Sequence, residues 1–226
     1  MMIKKIRVLF LFLIILIPTI AIAKDHYFGF HLGTSPSLLK SWKDVDVNNL
    51  WKYGDLTQDY MFGFSYQNSL TNKLNLEFNF NFTMAKSYND DVWYSDTVNA
   101  DIKNEMYNDV FSYQLGSSIE YIFSESRTEK YQPFISFGLF IMHTLINVDK
   151  KITNLKFNYV GLDTSEKFKR NGGGFNIGTG LYYVPSPKIK YKILCGFQYK
   201  DMNLFFKEET DLIPVNGLIL SISLYL

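Results

Sequence analysis

Two carboxylates and two ammonium groups stand out because they interrupt faces that are otherwise neutral. Glu77, Glu120, Lys190 and Lys192 each occupy a polar position in a segment whose alternate positions are apolar. His31 sits in the same way between Gly29 and Gly33. If these polar faces line one closed interior, an isolated charge there is costly and the groups must find one another. The expected chemistry is an interior carboxylate–lysine network, with Gln114, Gln198 and Asn75 as neutral partners. Such a network either plugs and fixes the interior or gates an ion path. His31, flanked by glycines, reads as a hydrogen-bonded interior histidine. Hydrolytic and metal chemistry have less to work with: the histidines are His26, His31 and His143, Cys195 is the only cysteine, and no Gly-rich phosphate loop or metal-ligating cluster occurs. Asp90 and Asp91 lack the spacing of a calcium loop.

The elements that must position these groups are strands. Lys73 to Met84 alternates without a fault, with Leu74, Leu76, Phe78, Phe80, Phe82 and Met84 on one face and Asn75, Glu77, Asn79, Asn81 and Thr83 on the other. The run is about twice the usual ~5–6 residues of a soluble strand and close to the ~9–11 that a tilted strand needs to cross a bilayer. A soluble half-buried strand alternates in the same way, so the rest of the chain must decide.

Seven further segments repeat the pattern: Tyr27 to Leu32, Gln58 to Asn68, Tyr107 to Phe123, Tyr131 to His143, Gly174 to Val184, Lys188 to Tyr199 and Gly217 to Leu226. Phe134, Phe140 and Met142 make the inner face of the Tyr131 segment less polar than the others. The connections alternate in length. Ser69 to Asn72, Ser124 to Lys130 and Pro185 to Pro187 are turns, whereas Leu39 to Thr57, Ala85 to Glu105, Thr144 to Gly173 and Lys200 to Asn216 are long and polar. Eight strands closed on themselves leave no unpaired edge, and turns segregated from loops by parity mark a membrane barrel with short periplasmic turns and long extracellular loops. The predicted class is an all-β, eight-stranded antiparallel up-and-down transmembrane β-barrel.

Composition agrees with export. Residues 1–23 carry Lys4, Lys5 and Arg7, an apolar run from Val8 to Ile17 and the small-residue site Ala21-Ile22-Ala23, as in a secretory signal peptide cleaved after Ala23. Residues 24–226 form the barrel domain. Removing three of the 23 Lys and Arg and none of the 22 Asp and Glu leaves a balance of about −2, which suggests no nucleic-acid partner. A single cysteine excludes an internal disulfide framework. The 20 Phe and 16 Tyr suit strands and, for Tyr, a membrane interface.

On these residues the chain resembles the small eight-stranded outer-membrane β-barrel superfamily, of the OmpA-transmembrane-domain, OmpX and opacity-protein type, over Lys24 to Leu226. The resemblance is carried by the Gly-rich first strand Phe28 to Gly33, by Pro133-Phe-Ile-Ser-Phe-Gly138 and by the alternating C-terminal strand. It implies residence in the outer membrane among phospholipid and lipopolysaccharide, insertion by the barrel-assembly machinery, and a monomer without a cofactor. The family's last strand usually ends in Phe, and this one ends Leu224-Tyr225-Leu226. Some members are lipid A deacylases or palmitoyltransferases, and the deacylases place His and Ser two apart. Here His31 is followed by Leu32-Gly33 and His143 by Thr144-Leu145, so no enzyme is expected.

The function expected is structural, or adhesive and immune-facing through the loops. The alternative is a narrow porin or small-ligand transport barrel in the style of OmpW, with an apolar ligand entering near Phe134, Phe140 and Met142. The acidic loop with Asp90, Asp91, Asp96, Asp101 and Glu105 and the basic loop with Lys150, Lys151, Lys156, Lys167, Lys169 and Arg170 either pair above the rim or, for the basic one, meet lipopolysaccharide phosphates. Trp42, Trp51 and Trp93, with Tyr53, Tyr88 and Tyr94, form an adhesive tip, pack the loops together or rest at the outer interface.

Overall fold

The computed structural model describes residues 25–36, 58–97, 99–156, 159–201 and 214–226. The signal-peptide expectation, Trp42, Trp51, Tyr53, the whole Leu39 to Thr57 connection and most of the Lys200 to Asn216 connection lie outside the described residues. Eight strands follow one another in chain order: β1 (Asp25–Pro36), β2 (Gln58–Ser69), β3 (Leu74–Ser95), β4 (Ala100–Ile122), β5 (Tyr131–Asn154), β6 (Tyr159–Ser186), β7 (Ile189–Asp201) and β8 (Val215–Tyr225). Each pairs antiparallel with the next, and β8 returns to β1, so the sheet is a closed barrel. Leu226 and Phe28 exchange backbone bonds of 2.8 and 3.0 Å and complete the seam.

The ladder fixes the geometry of the cylinder. Following paired residues from Gly29 through Ser65, Asn79, Gly116, Phe140, Gly174 and Lys200 leads to Val215, whereas Gly29 itself pairs with Tyr225, ten residues further along. A shear of that size over eight strands, with ~4.8 Å between strands and ~3.3 Å per residue, gives a tilt of about 40° and a radius of about 8 Å. A residue therefore climbs about 2.5 Å along the barrel axis. The interior is only wide enough for side chains.

The two faces are inverted relative to a soluble barrel. Outward positions are apolar and open: Phe28 is 69 % exposed, Ile222 61 % and Ile193 55 %. Inward positions are polar and closed, with Gln67, Asn75, Glu77, Ser112, Gln114, Glu120, Lys192 and Gln198 all buried. From Leu74 to Met84 the outward stripe rises about 25 Å at this tilt, matching the ~25 Å apolar band of membrane barrels.

The strands are longer than their alternation announced. Ala85 to Glu105 and Thr144 to Gly173, expected as loops, are instead the upper arms of two hairpins. β3 pairs with β4 up to Ser95 opposite Ala100, and β5 with β6 up to Asn154 opposite Tyr159. β4 and β5 pair with each other up to Ile102 opposite Asn154, so β3 to β6 form one four-stranded extension above the rim. Its polar composition disguised it, because a sheet with solvent on its outer side keeps no apolar stripe there. The turn at its first tip uses Asn99 with φ of 48°, a left-handed conformation that asparagine tolerates. The acidic and basic segments thus meet as neighbouring strands, with Glu105 opposite Lys151.

Candidate functional site

The lumen is filled in layers, and the lowest is tied by a residue from a turn. Arg127, in the β4–β5 turn, sends Nη1 to Ser69 Oγ at 2.9 Å and to Asn75 Oδ1 at 2.5 Å, and Nη2 to the carbonyls of Leu74, at 3.1 Å, and Thr71. Gln132 Nε2 in turn donates to the carbonyls of Arg127 at 2.7 Å and Glu129 at 3.0 Å. One guanidinium therefore fastens two turns across the barrel's lower mouth. Its position in a turn hides it from a reading based on strand parity.

Above it lies the charged layer. Lys192 Nζ reaches Glu77 Oε2 at 2.5 Å and Glu120 Oε1 at 2.6 Å. Tyr225 donates its hydroxyl to Glu77 Oε1 at 2.7 Å, and Tyr182 donates to Glu120 Oε2 at 2.5 Å. Gln67 Nε2 at 2.9 Å and Asn75 Nδ2 at 3.3 Å also donate to Glu120 Oε2, and Gln67 contacts the Tyr182 hydroxyl as well. The rings of Phe134, Tyr182 and Tyr225 stand 5.5 to 6.0 Å from the ammonium. Every member is buried. Strands β3, β4 and β7 supply the charges, and β2, β6 and β8, with Asn75 of β3, the neutral donors.

Glycines make room for the large rings in this layer. A Cβ on Gly180 would lie 2.5 Å from Phe134 Cζ, and one on Gly29 would lie 2.6 Å from the Tyr225 ring. The Gly-rich inner face that marks β1 and β6 in the sequence is thus the negative of these aromatic plugs.

The structure brings Glu77, Glu120, Lys192 and Asn75 together and leaves three expected partners out. Lys190 is buried, but its Nζ lies 3.4 Å from the centroid of the Tyr27 ring, one inward position below Lys192 and against β1. Gln114 and Gln198 point inward, each six residues along its strand from the charged layer, which at this tilt places them about 15 Å higher. Tyr182 and Gln67, which complete the network, are legible in the sequence only as inward positions.

His31 bonds Asn81 Oδ1 at mid-height. It borders a cavity of about 40 Å³ lined by Glu77, Asn79, Asn81, Asn176, Ser118 and Lys192, among others. That is room for a few waters and far below the ~300–1,000 Å³ of a small-molecule site.

The upper lumen combines an apolar cluster with neutral polar groups, among them Gln114, Gln198 and a Ser112–Thr144 hydroxyl pair at 2.7 Å, and one further charge pair. Ala85, Met106, Val110, Phe140, Met142, Ile146, Val148 and Val215 form a buried cluster. Phe134 belongs to a separate one with Ile122, Tyr182 and Tyr225. Of the three residues expected near an entering apolar ligand, Phe140 and Met142 share the upper cluster, and Phe134 lies six residues lower along β5. Lys200, fully buried, donates to Ser35 Oγ at 3.0 Å and the Pro36 carbonyl at 2.6 Å, and lies 3.6 Å from Asp59 Oδ2. The sequence places Lys200 at the start of a loop, although it shares the parity of Lys192 and Gln198.

No protein-family model matches the chain, and no curated protein matches it. Among solved structures it is similar to the N-terminal β-barrel domain of Pseudomonas aeruginosa OprF, at 13 % identity and a TM-score of 0.41 over 90 % of this chain and 97 % of that one. It is also similar to Neisserial surface protein A, at 15 % identity and a TM-score of 0.40 over 89 % and 94 % of the two chains. A major outer membrane protein from Thermus thermophilus gives 13 % identity and a TM-score of 0.44 over 89 % and 100 %.

Proposed function

We propose that the protein is an integral, monomeric outer-membrane β-barrel, exported by its N-terminal signal and inserted by the barrel-assembly machinery. Its lumen is a plug, and its working surface is the four-stranded extension above the rim. The observation that carries this reading is the inversion of polarity: exposed Phe, Leu and Ile around the outside and buried ionic groups within. Water on both sides of such a sheet would leave an apolar surface far beyond the few hundred Å² usual for a soluble monomer.

The plug reading draws on the short contacts of Lys192 and on the Arg127 closure below it. A non-catalytic role is supported by the partners of the histidines: His26, His31 and His143 each bond an asparagine amide oxygen, on Asn68, Asn81 and Asn171. Surface interaction is supported by Val92, Tyr94 and Tyr107, all about half exposed on the extension. The test is planar-bilayer recording of the refolded protein. No step conductance is expected, and a step conductance that changes in Lys192→Gln would replace this reading with transport. Cell-surface binding should fall when the tips 92–103 or 150–163 are shortened, and unchanged binding would remove the extension from the role.

A further inference from the structure

The outward face of β5 and β6 changes character with height. At the turn end Tyr131 lies opposite Tyr183, their rings stacked 5.4 Å apart, with Lys130 Nζ 5.9 and 5.4 Å from the two centroids. Aromatic rings with a lysine at their edge mark an interface. Above them, past Pro133 with Leu181 and Ile135 with Thr179, the outward pairs are apolar: Phe137 with Ile177, then Leu139 with Phe175 and Ile141 with Gly173. His143 follows, bonded through Nδ1 to Asn171 Oδ1 at 2.8 Å. Next come Leu145 opposite Lys169 and Asn147 opposite Lys167.

Lys169 and Leu145 stand fourteen residues above Tyr183 and Tyr131. At about 2.5 Å per residue that is about 35 Å, and about 40 Å for Lys167. The hydrocarbon layer is ~30 Å thick and the whole bilayer ~40–45 Å, so Lys169 falls in the headgroup layer of the opposite leaflet and Lys167 at its outer edge.

The next outward pair above them is Asp149 opposite Ser165. Lys167 and Lys169 are exposed and make no ion pair among the described residues, and the residues opposite them are neutral. Lys86, the outward lysine near this height on β3, is paired with Asp109 at 3.4 Å. Two ammonium groups on alternate residues of one strand, about 7 Å apart along it, can close on a single phosphate.

We propose that Lys167 and Lys169 form a binding site for the phosphate of an outer-leaflet lipid whose acyl chains lie along Ile141, Leu139 and Phe175. The site rests on the membrane placement proposed above, and it specifies a ligand and a position that placement alone does not. The lysines supply charge and the apolar column below them supplies the requirement for a lipid.

The experiment is native mass spectrometry of the full-length protein from detergent, with added bis-phosphorylated lipid A or its dephosphorylated counterpart. Wild type should retain the phosphorylated lipid, Lys167→Gln and Lys169→Gln should each weaken retention about fivefold, and the double variant about 25-fold. Lys130→Gln, at the other leaflet, should leave it unchanged. Equal retention by wild type and the double variant, equal retention of the dephosphorylated lipid, or displacement by millimolar inorganic phosphate would overturn the site. Circular dichroism of each variant checks folding. Depth measurement on a Cys195 label in the same samples separates failure of this site from failure of the membrane placement.

Discussion

Removing the ammonium of Lys192 while leaving its two carboxylates is the perturbation that most sharply tests the lumen. At 2.5 and 2.6 Å the two attractions amount to about 6 kcal/mol each at an effective dielectric of ~20. Taking three ions out of water costs several kcal/mol apiece, so the intact triad is close to neutral overall. The asymmetry lies in breaking it. Lys192→Met strands Glu77 and Glu120 in a site with Tyr182, Tyr225, Gln67 and Asn75 as its donors. A loss of about 3–5 kcal/mol is expected. Replacing all three charges, as Glu77→Gln, Glu120→Gln and Lys192→Met together, removes the stranded carboxylates and should recover most of that loss. The assay is urea unfolding of the barrel in lipid vesicles, followed by far-ultraviolet circular dichroism, with all single, double and triple variants in one cycle. A Lys192→Met cost below about 1 kcal/mol, or a triple variant as unstable as the single one, would refute the argument that the charges are held by one another.

Three other variants report on the remaining layers. Lys200→Met leaves the Pro36 carbonyl and Ser35 without their donor and Asp59 without its cation, and should lower stability by about 3 kcal/mol in the same unfolding assay. Arg127→Ala removes the guanidinium contacts between two turns, and a loss of about 2 kcal/mol is expected, smaller because the residue is only half-buried. Gly180→Ala would set its Cβ 2.5 Å from the Phe134 ring and 2.1 Å from the Ile193 carbonyl, so it should unfold or shift the melting temperature downward by several degrees, whereas Phe134→Leu with Gly180→Ala should recover part of the loss.

What the sequence makes legible is whatever the bilayer constrains. Between Leu74 and Met84 one face must meet hydrocarbon and the other a crowded interior, so residue type follows parity and the strand can be read residue by residue. Above the rim that constraint ends, and β3 continues to Ser95 in residues that look like a loop. Within the lumen, parity says which residues face inward but not which share a height. Glu77, Glu120 and Lys192 meet because a shear of ten brings those positions level, while Gln114 and Gln198 belong to a higher layer. Lys200 obeys the parity of β7 but lies just past Tyr199, where the apolar alternation stops, so the sequence hides it in a loop. Arg127 has no parity at all, since it enters the lumen from a turn.

The central claim, that the apolar outer face lies against hydrocarbon, can be tested at Cys195, the only cysteine in the chain and an exposed residue on the outward face of β7. It stands six residues above Ile189, about 15 Å up the barrel and so near the middle of a ~30 Å hydrocarbon layer. A nitroxide attached there, in vesicles, should collide freely with dissolved oxygen and be shielded from a water-soluble nickel chelate. Equal access to the chelate would contradict the claim and place this face in water.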